Sequence, residues 1–471
     1  MQGYSPFQKP IVDLQANDLV SLRGVEESWY VEYKRQMIEP RKLAKALAAF
    51  ANTYGGWLFI GVEEPGADNS TECPGILAEE VEGAVHRLRN TAAANVNPIP
   101  FFRSTVIPGP CTEMGLGEGK AVIAIEIPRS ITAPHVHRDG RIYVRVDDGS
   151  EVPESDRFLL DQLWRRGEPT RESVRRWIEQ DPTFDDSEAL SPYIRVLLCI
   201  DPWGQRRLHL PMTLPELRKT LSTEAKVTFD VLFPTNDGFL VRQVGTNPPR
   251  QHGLMWRIKR DLSADLLVPL PKYQPNDIAQ VLESLDGYRY QNQYTAMLDQ
   301  QLHEDPQIVD LNFLFVILRG IFAHYRTLLA SVGADKSFYF KARILNTERM
   351  MPFVDVGAVV EQFARSGVPV VFDETITVPP GHEVESFRHV RNWERTGEDQ
   401  TPEVQEEVGC VYQAFVVFML IAQSLGVSPF TENEDADENP QLSQRLLEEL
   451  LEVAERAMEA QSRRQARASG E

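Results

Sequence analysis

Glu27, Glu32 and Glu63 are the residues whose spacing could do chemistry. In Trp29-Tyr30-Val31-Glu32-Tyr33-Lys34 the residues alternate, so Glu32 and Lys34 share one face of a strand. Glu63 leaves the end of a second apolar run, Trp57-Leu58-Phe59-Ile60-Gly61-Val62, which the topology can lay beside the first. Glu27 has the opposite parity to Glu32 and joins the others only where the chain turns or bulges near Ser28. Three converging carboxylates suit a hard divalent cation, magnesium or manganese, which takes oxygen ligands and leaves positions for phosphate. Such an ion polarises a phosphodiester and activates water, while a lysine such as Lys34 offsets developing charge. The alternative from the same residues is a set of solvated surface charges, whose ion pairs are worth little.

Cations lie close by in the sequence. Arg41, Lys42 and Lys45 fall in the first half of one helix, and Arg138, Arg141 and Arg145 on one hairpin. With Lys34 they are the candidate phosphate contacts. His135 and His137 are two apart and share a strand face, open to metal or phosphate; a solvated hairpin edge is the other reading. Gly115-Leu116-Gly117-Glu118-Gly119-Lys120 resembles a phosphate loop only superficially. Its lysine is followed by Ala121-Val122-Ile123-Ala124-Ile125, a strand, where a true loop opens a helix, so ATP is not expected. Tyr288, Tyr290 and Tyr294 offer either base-stacking surfaces or a helix interface.

These residues need a scaffold. The first strand is expected at 27–36. Glu39-Pro40 opens a helix, with proline suited to its first turn. Leu43, Leu47 and Phe50, with Ala46, share one face, and Gly55-Gly56 ends the helix by supplying positive φ. The run from Trp57 is a buried central strand. A helix at 79–94, strands at 101–107, 121–128 and 141–146, a turn at Asp139-Gly140 and a helix at 157–165 complete an N-terminal module, residues 1–166. Residues 190–272 read as a small sheet-rich domain. Residues 273–430 form an α/β or mostly helical C-terminal domain of unknown role, helical over 276–332 and 403–426 with strands at 337–345 and 368–378. Residues 431–471 hold an acidic linker, Glu432 to Asn439, and a helix with Leu446, Leu450, Val453, Ala457 and Ala460 at heptad spacing. The fold class is therefore α/β (α+β) and multidomain.

At 471 residues the chain is too long for one core. Its net charge of −20 excludes a broadly basic nucleic-acid coat. Through Arg166 there are 18 basic and 23 acidic residues, leaving −15 for the remainder, so any phosphate-binding surface is a local patch. Cys73, Cys111, Cys199 and Cys410 are far apart and form no CxxC pair, which argues against structural zinc and fits a reducing compartment. Leu311 to Leu329 contains Arg319, His324 and Arg326, costly in hydrocarbon, and Val411 to Leu425 is shorter than the roughly 20 residues a span needs. Both are expected as buried helices rather than membrane spans. No basic segment followed by an apolar one opens the sequence, so a cytoplasmic location is expected.

Glu27-Ser28-Trp29-Tyr30-Val31-Glu32-Tyr33-Lys34, followed by Ala48-Ala49-Phe50-Ala51-Asn52-Thr53-Tyr54-Gly55-Gly56-Trp57-Leu58-Phe59-Ile60-Gly61-Val62-Glu63-Glu64, resembles the Schlafen AlbA-type domain. Arg141-Ile142-Tyr143-Val144-Arg145-Val146 with Gly149-Ser150 is similar to that family's closing strand. The resemblance spans about residues 20–165. It implies an α/β module that binds nucleic acid and, from the Schlafen members, a metal-dependent endoribonuclease acting on tRNA and similar RNAs in defence or stress. Glu27, Glu32 and Glu63 fall on the family's acidic triad, although position 63 is Glu where Asp is common. Neither a second copy of the motif nor the zinc-binding Cys/His cluster of the animal proteins is present. One lobe is half of their two-lobed cradle, so a homodimer or larger assembly is expected. Two function classes stay open: a magnesium- or manganese-dependent nuclease, and a non-catalytic DNA- or RNA-binding regulator in which the three glutamates are structural; an ATP-binding protein is a distant third.

Overall fold

The computed structural model describes residues 4–63, 71–151, 156–203, 210, 212–222, 227–243, 252–301, 305–393, 402–429, 441–453 and 456. The acidic linker, Ala457, Ala460, Glu64 and residues 152–155 lie outside them. The chain divides into two compact units, Met1–Ser173 with Trp203–Arg206, and Val174–Pro202 with Arg207–Glu471.

The first unit is built on β1 (Val31–Lys34), α1 (Pro40–Asn52), β2 (Gly55–Ile60), β3 (Ile76–Leu77), α2 (Ala78–Asn95), β4 (Val96–Asn97), β5 (Arg103–Pro108), β6 (Lys120–Pro128), β7 (Val136–His137), β8 (Val144–Val146), β9 (Gly149–Glu151) and α3 (Arg157–Arg165), followed by α4 (Glu168–Glu179). β2 lies between parallel β1 and antiparallel β6, with β3 and β5 also on β6. Every residue of β2 is buried, as its continuous apolar run requires of a strand covered on both faces. On one face, Val31, Tyr33, Trp57 and Phe59 pack with Phe7, Ile11, Leu19 and Leu22 of the N-terminal segment. On the other, Leu58, Ile60, Ile123 and Ile125 pack against Leu43, Leu47 and Phe50 of α1 and Leu88 of α2. Each of these fully buried side chains contributes roughly 1.5–3 kcal/mol of transfer free energy.

The expected strand from residue 27 begins only at Val31, because the chain bends over residues 27–30. Pro40 occupies the first turn of α1 as expected. Lys120 opens β6, so the glycine-rich loop before it leads into a strand and not a helix.

The second unit contains β10 (Tyr193–Cys199), α5 (Leu214–Leu221), β11 (Val231–Pro234), β12 (Gly238–Arg242), β13 (Met255–Lys259), β14 (Ala264–Pro269), β15 (Lys272–Tyr273), α6 (Ile278–Ser284), α7 (Gln291–Gln300), β16 (Gln307–Asp310), α8 (Asn312–Ser331), β17 (Phe338–Leu345), β18 (Met350–Phe353), α9 (Gly357–Ser366), β19 (Thr375–Val378), β20 (Arg388–Val390) and α10 (Pro402–Ser424). The expected separation of 190–272 from 273–430 is corrected here. β10 is hydrogen-bonded to β14 on one edge and β17 on the other, with Val196 opposite both Leu266 and Ala342. A strand buried at all seven positions needs partners on both edges, and one comes from each segment. The 273–430 region supplies β16 to β20 beside its helices, the α/β form of the two expected for it.

Asn312–Ser331 and 404–424 are long and apolar enough to cross a bilayer by length and composition. In this unit they pack together, with Phe315 against Phe418. The buried Arg326 of α8 donates to Glu406, Asn392 and Gln413. Residues 441–453 are helical, and Leu446, Leu450 and Val453 enter the same core. Tyr288 and Tyr294 are buried, donating to Asp310 and to the Pro352 carbonyl, and Tyr290 is partly buried against the core. That burial removes the stacking role considered for the trio. All four cysteines are buried free thiols.

Candidate nucleic-acid interface

The bend at 27–30 decides the geometry around Glu27. Its carboxylate turns back to accept from the Tyr33 amide at 2.5 Å, and Lys34 Nζ lies 3.4 Å from the same oxygen. Lys34 Nζ is also 3.1 Å from Glu32 Oε1, so one ammonium joins two carboxylates of opposite strand parity. The other oxygen of Glu32 accepts from Arg145 Nη1 at 2.5 Å. Glu32 is 8% exposed and Arg145 1%, which makes this a buried charge pair and not a surface one.

Arg145 is held from several sides. Its Nη2 donates to the Ser28 carbonyl at 2.6 Å, and its guanidinium lies 4.5 Å from the centre of the Phe50 ring. Its backbone amide donates to Thr53 Oγ1 at 2.7 Å, and Thr53 Oγ1 in turn donates to the Ala49 carbonyl. The neighbouring Asn52, also buried, donates to the His135 and Tyr143 carbonyls and accepts from the His135 amide. Asn52 and Thr53 thus tie the end of α1 to the 135–145 hairpin. Side-chain chemistry alone singles out neither residue, although both sit inside the Ala-Phe-Ala-Asn-Thr-x-Gly-Gly block.

The expected phosphate contacts separate into two groups. Arg145 is corrected to an internal residue, because its strand position carries it beneath the bend before β1 and onto Phe50. Arg41, Lys42, Arg138 and Arg141 are exposed, and Lys34 and Lys45 half-exposed. Lys34, Lys42, Lys45 and Arg145 line one open cavity of about 220 Å³, with Ser150, Glu32 and Asp148. Lys45 lies 4.9 Å from the centre of the Tyr143 ring. Asp139 fixes the hairpin that presents Arg138 and Arg141. Burial works against its ionisation, but hydrogen bonds from Tyr143, His137 and the Arg141 amide bring its carboxyl down to about 2.

The histidines are not a solvated edge. His135 is fully buried with Nδ1 2.6 Å from the Pro98 carbonyl, and burial lowers its pKa. His137 is buried with Nδ1 2.9 Å from Asp139.

The three glutamates do not form the expected metal set. Glu63 follows Gly61, whose φ of +92° turns the chain at the end of β2. Its carboxylate, 45% exposed, pairs with Arg35 Nη1 at 3.3 Å. Arg35 follows the end of β1, so Glu63 pairs with a cation that neither Glu27 nor Glu32 meets. Glu27 and Glu32 already meet two cations. Among the described residues no group of three His, Cys, Asp or Glu side chains is placed to hold a metal ion. This donor set does not fit a resident divalent cation.

Residues 27–154 match the family model described as Schlafen, AlbA_2. The N-terminal third carries a Schlafen AlbA_2 domain. The match covers the bend, β1, the Asn52–Thr53 tie and the Arg145 hairpin together. It places this domain in a family associated with nucleic acid. No curated protein matches the chain. Among solved structures, the chain is similar to the DIP2311 protein from Corynebacterium diphtheriae at 19% identity and a TM-score of 0.18, over 27% of this chain and 25% of that one.

Proposed function

We propose that the Schlafen AlbA_2 domain of this chain binds nucleic acid through its phosphate backbone at the cavity between α1 and the 144–151 hairpin. The observation that carries the proposal is the meeting of Lys34, Lys42, Lys45 and Arg145 with Ser150 around one open cavity holding two carboxylates. Lys34 and Arg145 are taken up by Glu27 and Glu32, so the positive patch in this chain of net charge −20 rests on Lys42 and Lys45. Arg145 screens Glu32, which leaves Lys42 and Lys45 to meet phosphate oxygens, with Arg41, Arg138 and Arg141 exposed nearby in sequence. Lysine ammonium groups with this freedom make point-charge contacts that position a strand without reading its bases.

The test is a salt titration of binding by the full chain to single-stranded RNA and DNA. Lys42→Ala and Lys45→Ala are each expected to weaken binding and to flatten the slope of log affinity against log salt by about 0.7. RNA is expected to bind the tighter, following the endoribonucleases that the domain resembles. Unchanged slopes in both variants would remove the cavity from the binding surface. The nuclease reading enters the same experiment: RNA cleavage by the wild-type chain in magnesium or manganese, abolished by Glu32→Gln, would replace binding alone with catalysis. Salt-sensitive binding without cleavage leaves the binding module.

A further inference from the structure

Four aromatic rings cluster around the bend before β1 and the turn after α1. Tyr4 stacks on Tyr30 with centroids 5.1 Å apart and an interplanar angle of 27°. Tyr54 lies 6.0 Å from Tyr30 and 5.8 Å from Trp29. Tyr54 is 50% exposed and Tyr4 42% exposed, so the cluster presents ring surface to solvent instead of closing into the core. Gly55 and Gly56 bring it together. The Trp57 amide donates to the Tyr30 carbonyl at 2.7 Å, and a Cβ on Gly56 would come within 2.5 Å of that carbonyl oxygen.

The junction between the cluster and the cavity is the backbone held by Arg145, a residue that lines the cavity. Its guanidinium holds the carbonyl of Ser28, which precedes Trp29, and its amide holds Thr53, which precedes Tyr54. One side of this junction is apolar and planar, the other positively charged. A single-stranded nucleic acid carries the matching pair of surfaces, bases that stack and phosphates that are anionic. A duplex hides its base faces and has no use for the rings.

We propose that Tyr4, Trp29, Tyr30 and Tyr54 form a stacking platform for unpaired bases of a single strand whose phosphates lie on Lys42 and Lys45. The proposal rests on the nucleic-acid reading of the cavity and narrows it to single strands. Tyr54 is the exposed stacking face, and Trp29 supports it from the side.

The test measures binding of the full chain to a labelled single strand, the same strand with abasic sites, and a duplex of equal length. The abasic strand is expected to bind about tenfold more weakly than the intact one, because each lost base removes a stacking contact. Tyr54→Ala is expected to weaken the intact strand by a similar factor while leaving the salt slope and duplex binding unchanged. Tyr54→Phe, which keeps the ring, is expected to bind as wild type. Equal affinity of intact and abasic strands for the wild-type chain overturns the platform without depending on the folding of any variant. If Lys42→Ala and Lys45→Ala still weaken binding in that case, the functional reading stands and only the platform falls. No salt-sensitive binding to any of the three nucleic acids removes both.

Discussion

Replacing Arg145 with alanine is expected to destabilise the N-terminal unit by about 3–5 kcal/mol, the cost of leaving one member of a buried charge pair alone. Glu32 would keep its carboxylate at 8% exposure with only Lys34 as a partner. The Ser28 carbonyl would lose its donor, and the Phe50 face its guanidinium. Urea denaturation followed by tryptophan fluorescence measures the change, since Trp29 and Trp57 both lie in this unit. Arg141→Ala, on the exposed part of the hairpin, should stay within about 0.5 kcal/mol of wild type. Replacing both partners, Glu32→Met with Arg145→Met, should recover much of the loss, because an apolar pair of similar volume carries no buried charge. An Arg145→Ala chain that unfolds like wild type but binds nucleic acid weakly would return Arg145 to the phosphate contacts.

Gly55→Ala is expected to cost about 2–5 kcal/mol, from a left-handed backbone and from overpacking together. Gly55 has a φ of +76°, and a Cβ there would lie 2.5 Å from the Arg129 amide nitrogen and 2.6 Å from the Ile127 carbonyl oxygen. Those atoms belong to the backbone beside and within β6, so no side chain can swing aside to make room. The same denaturation experiment reads the effect. A change under about 1 kcal/mol, the ordinary helix-interior penalty for glycine read in reverse, would show that the start of β2 tolerates a side chain.

Much of the N-terminal scaffold was legible because it is written in local patterns. Pro40, the Leu43–Leu47–Phe50 face and the apolar run from Trp57 each report their own element, through fixed φ, helical spacing and burial on two faces. The 190–430 region was harder. Its strands pair across long sequence separations, so β10 gave no local sign that β14 and β17 would flank it.

The candidate site divides in the same way. Residue types and strand parity were enough to place Glu32 with Lys34, to require a turn near Ser28 before Glu27 could join them, and to mark a local basic patch in an acidic chain. Only the tertiary structure decided what each charge faces. The bend at 27–30 turned Glu27 onto the Tyr33 amide, Gly61 sent Glu63 to Arg35, and the hairpin carried Arg145 beneath the surface to neutralise Glu32. The exposed rings of Tyr4 and Tyr54 and the half-buried rings of Trp29 and Tyr30 likewise came together only in the folded unit. The physical reason is that a strand's periodicity fixes which side a residue takes, while its ion-pair partner comes from whatever distant segment packs against that side.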